Sequence, residues 1–61
     1  MTKKIYYIEN TAELDLALVC LADLVPCFID REYIEMDYSA VNIICRTEDL
    51  IAVERVLAPL V

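Results

Sequence analysis

The chain has 61 residues, 11 acidic against 5 basic, a net charge of −6, and no His, Gly or Trp. The missing histidines exclude a Ser-His-Asp triad and an imidazole metal site, and the missing glycines exclude a phosphate-cradling loop. A single domain is the most this length supports, with roughly 4,000 Å² of surface when folded; burial and ordering entropy nearly cancel at this size, so a partner subunit, a staple or a metal is expected to supply the margin.

Lys3 to Ile8 is rich in β-branched and aromatic residues and reads as a first strand. Asn10 followed by Glu13 matches a capping box, with Asn10 as the cap of a helix that starts near Thr11. Leu14, Leu18, Leu21 and Val25 recur at helical spacing. Leu16, Ala17, Val19, Cys20 and Leu24 widen that stripe almost all the way round, which predicts burial on more than one side. Pro26 ends the helix. A second strand is expected over Cys27 to Asp37, with Ile34 and Met36 on one face and Tyr33 and Glu35 on the other. Asp37-Tyr38-Ser39 is the expected turn. Ala40 to Arg46 follows as a third strand, with Val41, Ile43 and Cys45 on one face and Ala40, Asn42 and Ile44 on the other. Thr47 is the expected cap of a second helix, with Glu48 and Asp49 in its first turn. Leu50, Val53, Leu57 and Leu60 form its buried stripe, Glu54 and Arg55 face water, and Pro59 frays its end.

The order β-α-β-β-α predicts an α+β fold. The crossover from first to second strand is right-handed. The third strand is the most apolar and belongs in the middle. The second carries Asp30, Arg31, Glu32, Glu35 and Asp37, the charges expected on a protected edge. The predicted sheet order is therefore 1-3-2, with both helices on one face. In element order alone this resembles a ferredoxin-like βαββαβ unit truncated before its last strand. No residue motif accompanies that resemblance. The first strand is then left with an open, apolar edge, Ile5, Tyr6, Tyr7 and Ile8, and these four residues are the expected interface of a homodimer paired strand to strand.

Mean hydropathy is +0.56, so the acidity does not mark a disordered tail. It does oppose direct contact with nucleic acid or an anionic membrane. No apolar run approaches the length of a membrane span, and no signal segment stands at the N-terminus, so a cytoplasmic address is the expectation. The three cysteines, Cys20, Cys27 and Cys45, read as reduced thiols. Cys45 is expected to be buried, and Cys27, beside Pro26, to be the most exposed.

The charge is concentrated. Residues 1–8 carry +2, residues 9–37 carry −7 and residues 38–61 carry −1. Asp30, Glu32, Glu35 and Asp37 form the candidate acidic partner-binding surface. Residues two apart on a strand lie about 6.6 Å apart on one face, so a row such as Glu35 and Asp37 is a candidate substitute for two backbone phosphates. Asp30, Glu32 and Asp37 are candidates for a cation site but lack the Gly of an EF-hand loop. The acids offer no tuned pair in a cleft, so no catalytic residues, metal or cofactor are assigned. The expected function is a small acidic, non-catalytic, homodimeric module that binds another protein. Tyr6, Tyr7, Phe28, Tyr33 and Tyr38 are its candidate anchors. The alternative is a phage-type inhibitor that mimics nucleic-acid charge to block a DNA- or RNA-acting enzyme.

Overall fold

A computed structural model covers residues 1–61. Strand β1 (Thr2–Glu9) leads into helix α1 (Ala12–Leu24), then strands β2 (Cys27–Tyr33) and β3 (Tyr38–Cys45), and helix α2 (Leu50–Leu57). The sheet order is β1-β3-β2, and both outer strands run antiparallel to the central one. The α+β class, the element order and the central place of β3 are those expected from the sequence. The accessible surface of 4175 Å² also agrees with the size scaling. No helix is long and apolar enough to cross a membrane.

Alternation along the strands divides the sheet into two unlike faces. Tyr6 and Ile8 of β1, and Ser39, Val41, Ile43 and Cys45 of β3, are buried on the helix side. Leu14, Leu21 and Val25 from the α1 region, with Val53 and Leu57 from α2, close the core over them. Helix α1 packs against β2 and α2. Helix α2 lies over β1, since Glu54 accepts a hydrogen bond from the Tyr6 hydroxyl at 2.6 Å and pairs with Lys4 at 2.8 Å. Both helices therefore cover one face, and the other face is bare.

Several local expectations are corrected. Thr11, not Asn10, caps α1: its hydroxyl accepts from the Leu14 amide at 3.2 Å. The capping-box spacing misled because Asn10 is used in tertiary contacts. Strand β2 stops at Tyr33, and the chain reverses over Ile34 to Asp37. The amides of Ile34 and Glu35 both donate to the Tyr38 carbonyl, and the Asn10 amide donates to the Asp37 carbonyl. These bonds hold the reversal without any residue at positive φ, which is how it forms without glycine. Ile34 and Met36 thus lie in an exposed loop rather than on a strand face. Thr47 does not cap α2. It opens a 3₁₀ turn, Thr47–Asp49, and its hydroxyl bonds that of Thr2 at 2.6 Å. Arg46 instead draws in Glu48 and Asp49, at 3.5 and 2.9 Å. Helix α1 is covered on one side only: Leu16, Val19 and Leu24 remain exposed.

Glu54 does not simply face water. Lys4, and then Tyr6, hold its carboxyl below the usual range. Tyr6 is pushed well up by burial first and by Glu54 second. The folded state therefore holds the phenolic proton more tightly than the unfolded chain does. This contribution to stability is complete below pH 10, the ordinary tyrosine value, and is lost as pH rises beyond it. In an alkaline titration, Tyr6→Phe is expected to unfold at a higher pH than wild type, read by circular dichroism with tyrosinate absorbance. An identical midpoint for both proteins would show that Tyr6 carries no such linkage.

Candidate functional site

The bare sheet face is set by the register. Tyr7, Ala40 and Glu32 form one row across the three strands; Ile5, Asn42 and Asp30 form the next; Lys3, Ile44 and Phe28 form the third. Glu9 and Tyr38 pair at the open end. Phe28 is 74% exposed and Tyr7 60%, with Ile5, Ile44 and Tyr38 also among the exposed large apolar side chains. On β1, Ile5 and Tyr7 stand between Lys3 and Glu9, and on β2 Phe28 is followed by two acids, Asp30 and Glu32.

Of the residues expected to bind a partner, Asp30 and Glu32 share this face at alternate positions of β2. Glu35 and Asp37 do not join them. They lie in the loop, so the strand spacing expected of that pair is absent. Asp30, Glu32 and Asp37 form no cluster able to hold a metal ion. Of the residues expected at a dimer interface, Ile5 and Tyr7 are exposed on the bare face. Tyr6 and Ile8 are 5% and 1% exposed and belong to the core of their own chain. Their side chains are corrected out of that interface, because strand alternation turns every second residue toward the helices. The outer backbone edge of β1 carries no strand.

Alternation also sorts the aromatic candidates. Tyr7, Phe28 and Tyr38 reach the bare face, whereas Tyr33 is on the helix side, its ring 4.7 Å from the Arg31 guanidinium. Sequence reasoning did not single out Ile44 or Glu9 for this face. The signal was present as apolar residues on both parities of β1 and β3, a pattern that a sheet covered on one side does not need.

Arg31 is absorbed by the fold. Its guanidinium donates to Asp15 at 2.5 Å, to Asn10 at 3.0 Å and to the Ser39 hydroxyl at 3.2 Å, and Ser39 in turn donates to Asn10. Lys4 and Arg46 are also ion-paired, which leaves Lys3 and Arg55 as the unpaired bases. Glu9, Asp30, Glu32, Glu35 and Asp37 have no ion-pair partner and outnumber Lys3, so the bare face and the adjoining loop hold a net excess of negative charge.

The thiols follow their strands. Cys45 is buried as expected, but Cys20 on α1 is the exposed one. Cys27 is half-buried on the helix side opposite Cys45, and burial raises its pKa, which disfavours the reactive thiolate. An open depression lined by Met1, Arg46, Thr47 and Glu48 contains no nucleophile–base pair. Comparison with known proteins finds no matching family model, no matching curated protein and no matching solved structure.

Proposed function

We propose that this protein is a homodimeric, non-catalytic module that binds another protein through its bare sheet face. One observation carries the reading: Ile5, Tyr7, Phe28, Ile44 and Tyr38 are exposed together on a face that no helix covers, beside the unpaired acids Asp30 and Glu32. Aromatic anchors inside a polar rim are the composition of energetic centres in protein interfaces. The acids select the occupant. A partner segment with apolar side chains flanked by Lys and Arg matches both halves of the face, whereas nucleic acid and anionic lipid are repelled by it.

Nucleic-acid mimicry is the second reading, and Asp30 with Glu32 is the pair that favours it. They alternate along β2, about 6.6 Å apart on one face, and both are free of ion pairs. The partner is then the basic cleft of a nucleic-acid enzyme.

Capture from a cell lysate at low and high salt distinguishes these cases when wild type is run beside Phe28→Asp and Asp30→Lys/Glu32→Lys. All three substituted side chains are exposed, so circular dichroism is expected to stay native. For docking on the face, Phe28→Asp abolishes capture of the partner and raised salt weakens it modestly. For mimicry, the double charge reversal abolishes capture, the salt dependence is steep, and Phe28→Asp has little effect. Capture that ignores both variants removes the bare face from either reading.

A further inference from the structure

Strand β1 pairs with β3 on one side in unbroken register, from Thr2 opposite Cys45 to Glu9 opposite Tyr38, and has no strand on its other side. Edge strands are ordinarily blunted by shortness, proline, a bulge or a central charge. β1 has eight residues, no proline and no bulge, and its charges stand only toward its ends: Lys3 and Lys4 at one, Glu9 at the other. Lys4 is neutralised by Glu54. Lys3 and Glu9 are exposed and free of ion pairs.

That placement fits a second copy of the same strand. Two antiparallel neighbours related by a two-fold axis require the axis to stand perpendicular to the sheet. Opposed residues then share a face and, because side chains alternate, have numbers that add to an even total. Few registers remain. Centring the axis on Lys4 sets Lys4 against itself. Centring it on Ile5 sets Lys3 against Tyr7, and centring it on Tyr7 sets Glu9 against Ile5. Centring it on Tyr6 sets Lys3 of each copy against Glu9 of the other and Ile5 against Tyr7, with Lys4, already paired with Glu54, against Ile8. Opposite charges and aromatic–β-branched pairs are the favourable cross-strand combinations.

We infer that the chain forms a homodimer by antiparallel β1–β1 pairing centred on Tyr6, with two reciprocal Lys3–Glu9 ion pairs. The product is a six-stranded sheet, β2-β3-β1-β1-β3-β2, with all four helices on one side. Because α2 lies over β1, the two α2 helices flank the axis. Ile51 and Ala58, three residues before and four after Glu54, share its flank and extend the contact beyond the strand edge.

The dimer also completes the docking face; this consequence rests on the function proposed above, while the pairing rests on β1 alone. Ile5 and Tyr7 of both copies meet at the centre of the bare face. The Asp30 and Glu32 rows become its outer margins, five strand spacings or about 24 Å apart. An apolar centre that each copy holds by halves is made whole, inside an acidic rim.

Sedimentation over a concentration series tests the pairing on the intact chain. Wild type is expected to pass from 7.0 kDa to twice that mass. Lys3→Glu alone, or Glu9→Lys alone, turns two attractive pairs into two repulsive ones and is expected to raise the dimer dissociation constant about tenfold or more. Lys3→Glu combined with Glu9→Lys restores it to within about threefold of wild type. Carbodiimide coupling of mixed isotope-labelled and unlabelled protein is expected to join Lys3 of one copy to Glu9 of the other. A chain that stays monomeric throughout overturns the inference, as does a dimer whose affinity ignores the charge series or couples elsewhere. Phe28→Asp separates the two proposals: it is expected to leave the dimer intact while abolishing partner capture, so either can fail without the other.

Discussion

Leu21→Ala is expected to destabilise the fold by about 3 kcal/mol, while Leu16→Ala costs under about 0.5 kcal/mol. Both leucines lie in the same helix, five residues apart, with the same side chain and similar helix propensity. They differ in what surrounds them. Leu21 is fully buried in the cluster formed with Val41, Ile43, Val53 and Leu57, whereas Leu16 is 66% exposed. Truncating Leu21 removes its transfer free energy and leaves a cavity that α1 cannot fill without disturbing its packing on β2 and α2. Cores of this size rarely supply more than about 3–5 kcal/mol. The Leu21 variant is therefore expected to be substantially unfolded at room temperature, and the Leu16 variant native. Urea unfolding followed by circular dichroism, at one fixed protein concentration because a dimer makes stability concentration-dependent, measures both. Equal losses for the two leucines would mean that α1 is rotated on the sheet.

Asn10→Ala is expected to cost about 2 kcal/mol, although Asn10 stands outside every helix and strand. Its side-chain carbonyl accepts from Arg31 and from the fully buried Ser39, and its amide group donates to the Met36 carbonyl at 3.4 Å. Truncation leaves the Ser39 hydroxyl without its acceptor and removes one of the three acceptors of Arg31. An unmet buried donor costs more than a lost hydrogen bond between exposed groups. The loop Ile34–Asp37 loses a side-chain tie at the same time, so the amides of Ile34 and Glu35, which bond the Tyr38 carbonyl, are expected to exchange faster with solvent. Native exchange rates at those two amides, with a loss below about 0.5 kcal/mol, would reduce Asn10 to a passive connector.

Asn10 also shows where sequence reasoning met its boundary. Asn three residues before Glu satisfies the capping-box pattern, and a local pattern has no access to a partner 29 residues away in sequence, Ser39, that needs an acceptor. The cap moved to Thr11, whose hydroxyl serves equally well. Glu54 and Tyr6 met the same boundary, since their bond joins the second helix to the first strand. Strand alternation carries on through Glu35 and Asp37 in the sequence, where no glycine or proline marks a turn. The chain turns there through backbone bonds to Tyr38 and Asn10, which carry no composition signal.

Periodicity determined the order of elements and the inward set Val41, Ile43 and Cys45, and the apolarity of β3 beside the charges of β2 determined its central place. An alternating or helical apolar pattern has few ways to be buried, and the most apolar strand gains most from flanking neighbours on both sides. The 4-3-4 spacing of Leu14, Leu18, Leu21 and Val25 also marked the inward stripe of α1, and Leu14, Leu21 and Val25 are buried. How much of the remaining apolar surface of α1 would be covered, and which side of β1 turns inward, were decided only when the elements packed. β1 is apolar on both parities, so its own residues prefer no orientation. Contact with the other elements chose Tyr6 over Tyr7, and in doing so left Ile5, Tyr7, Phe28 and Ile44 together on an uncovered face.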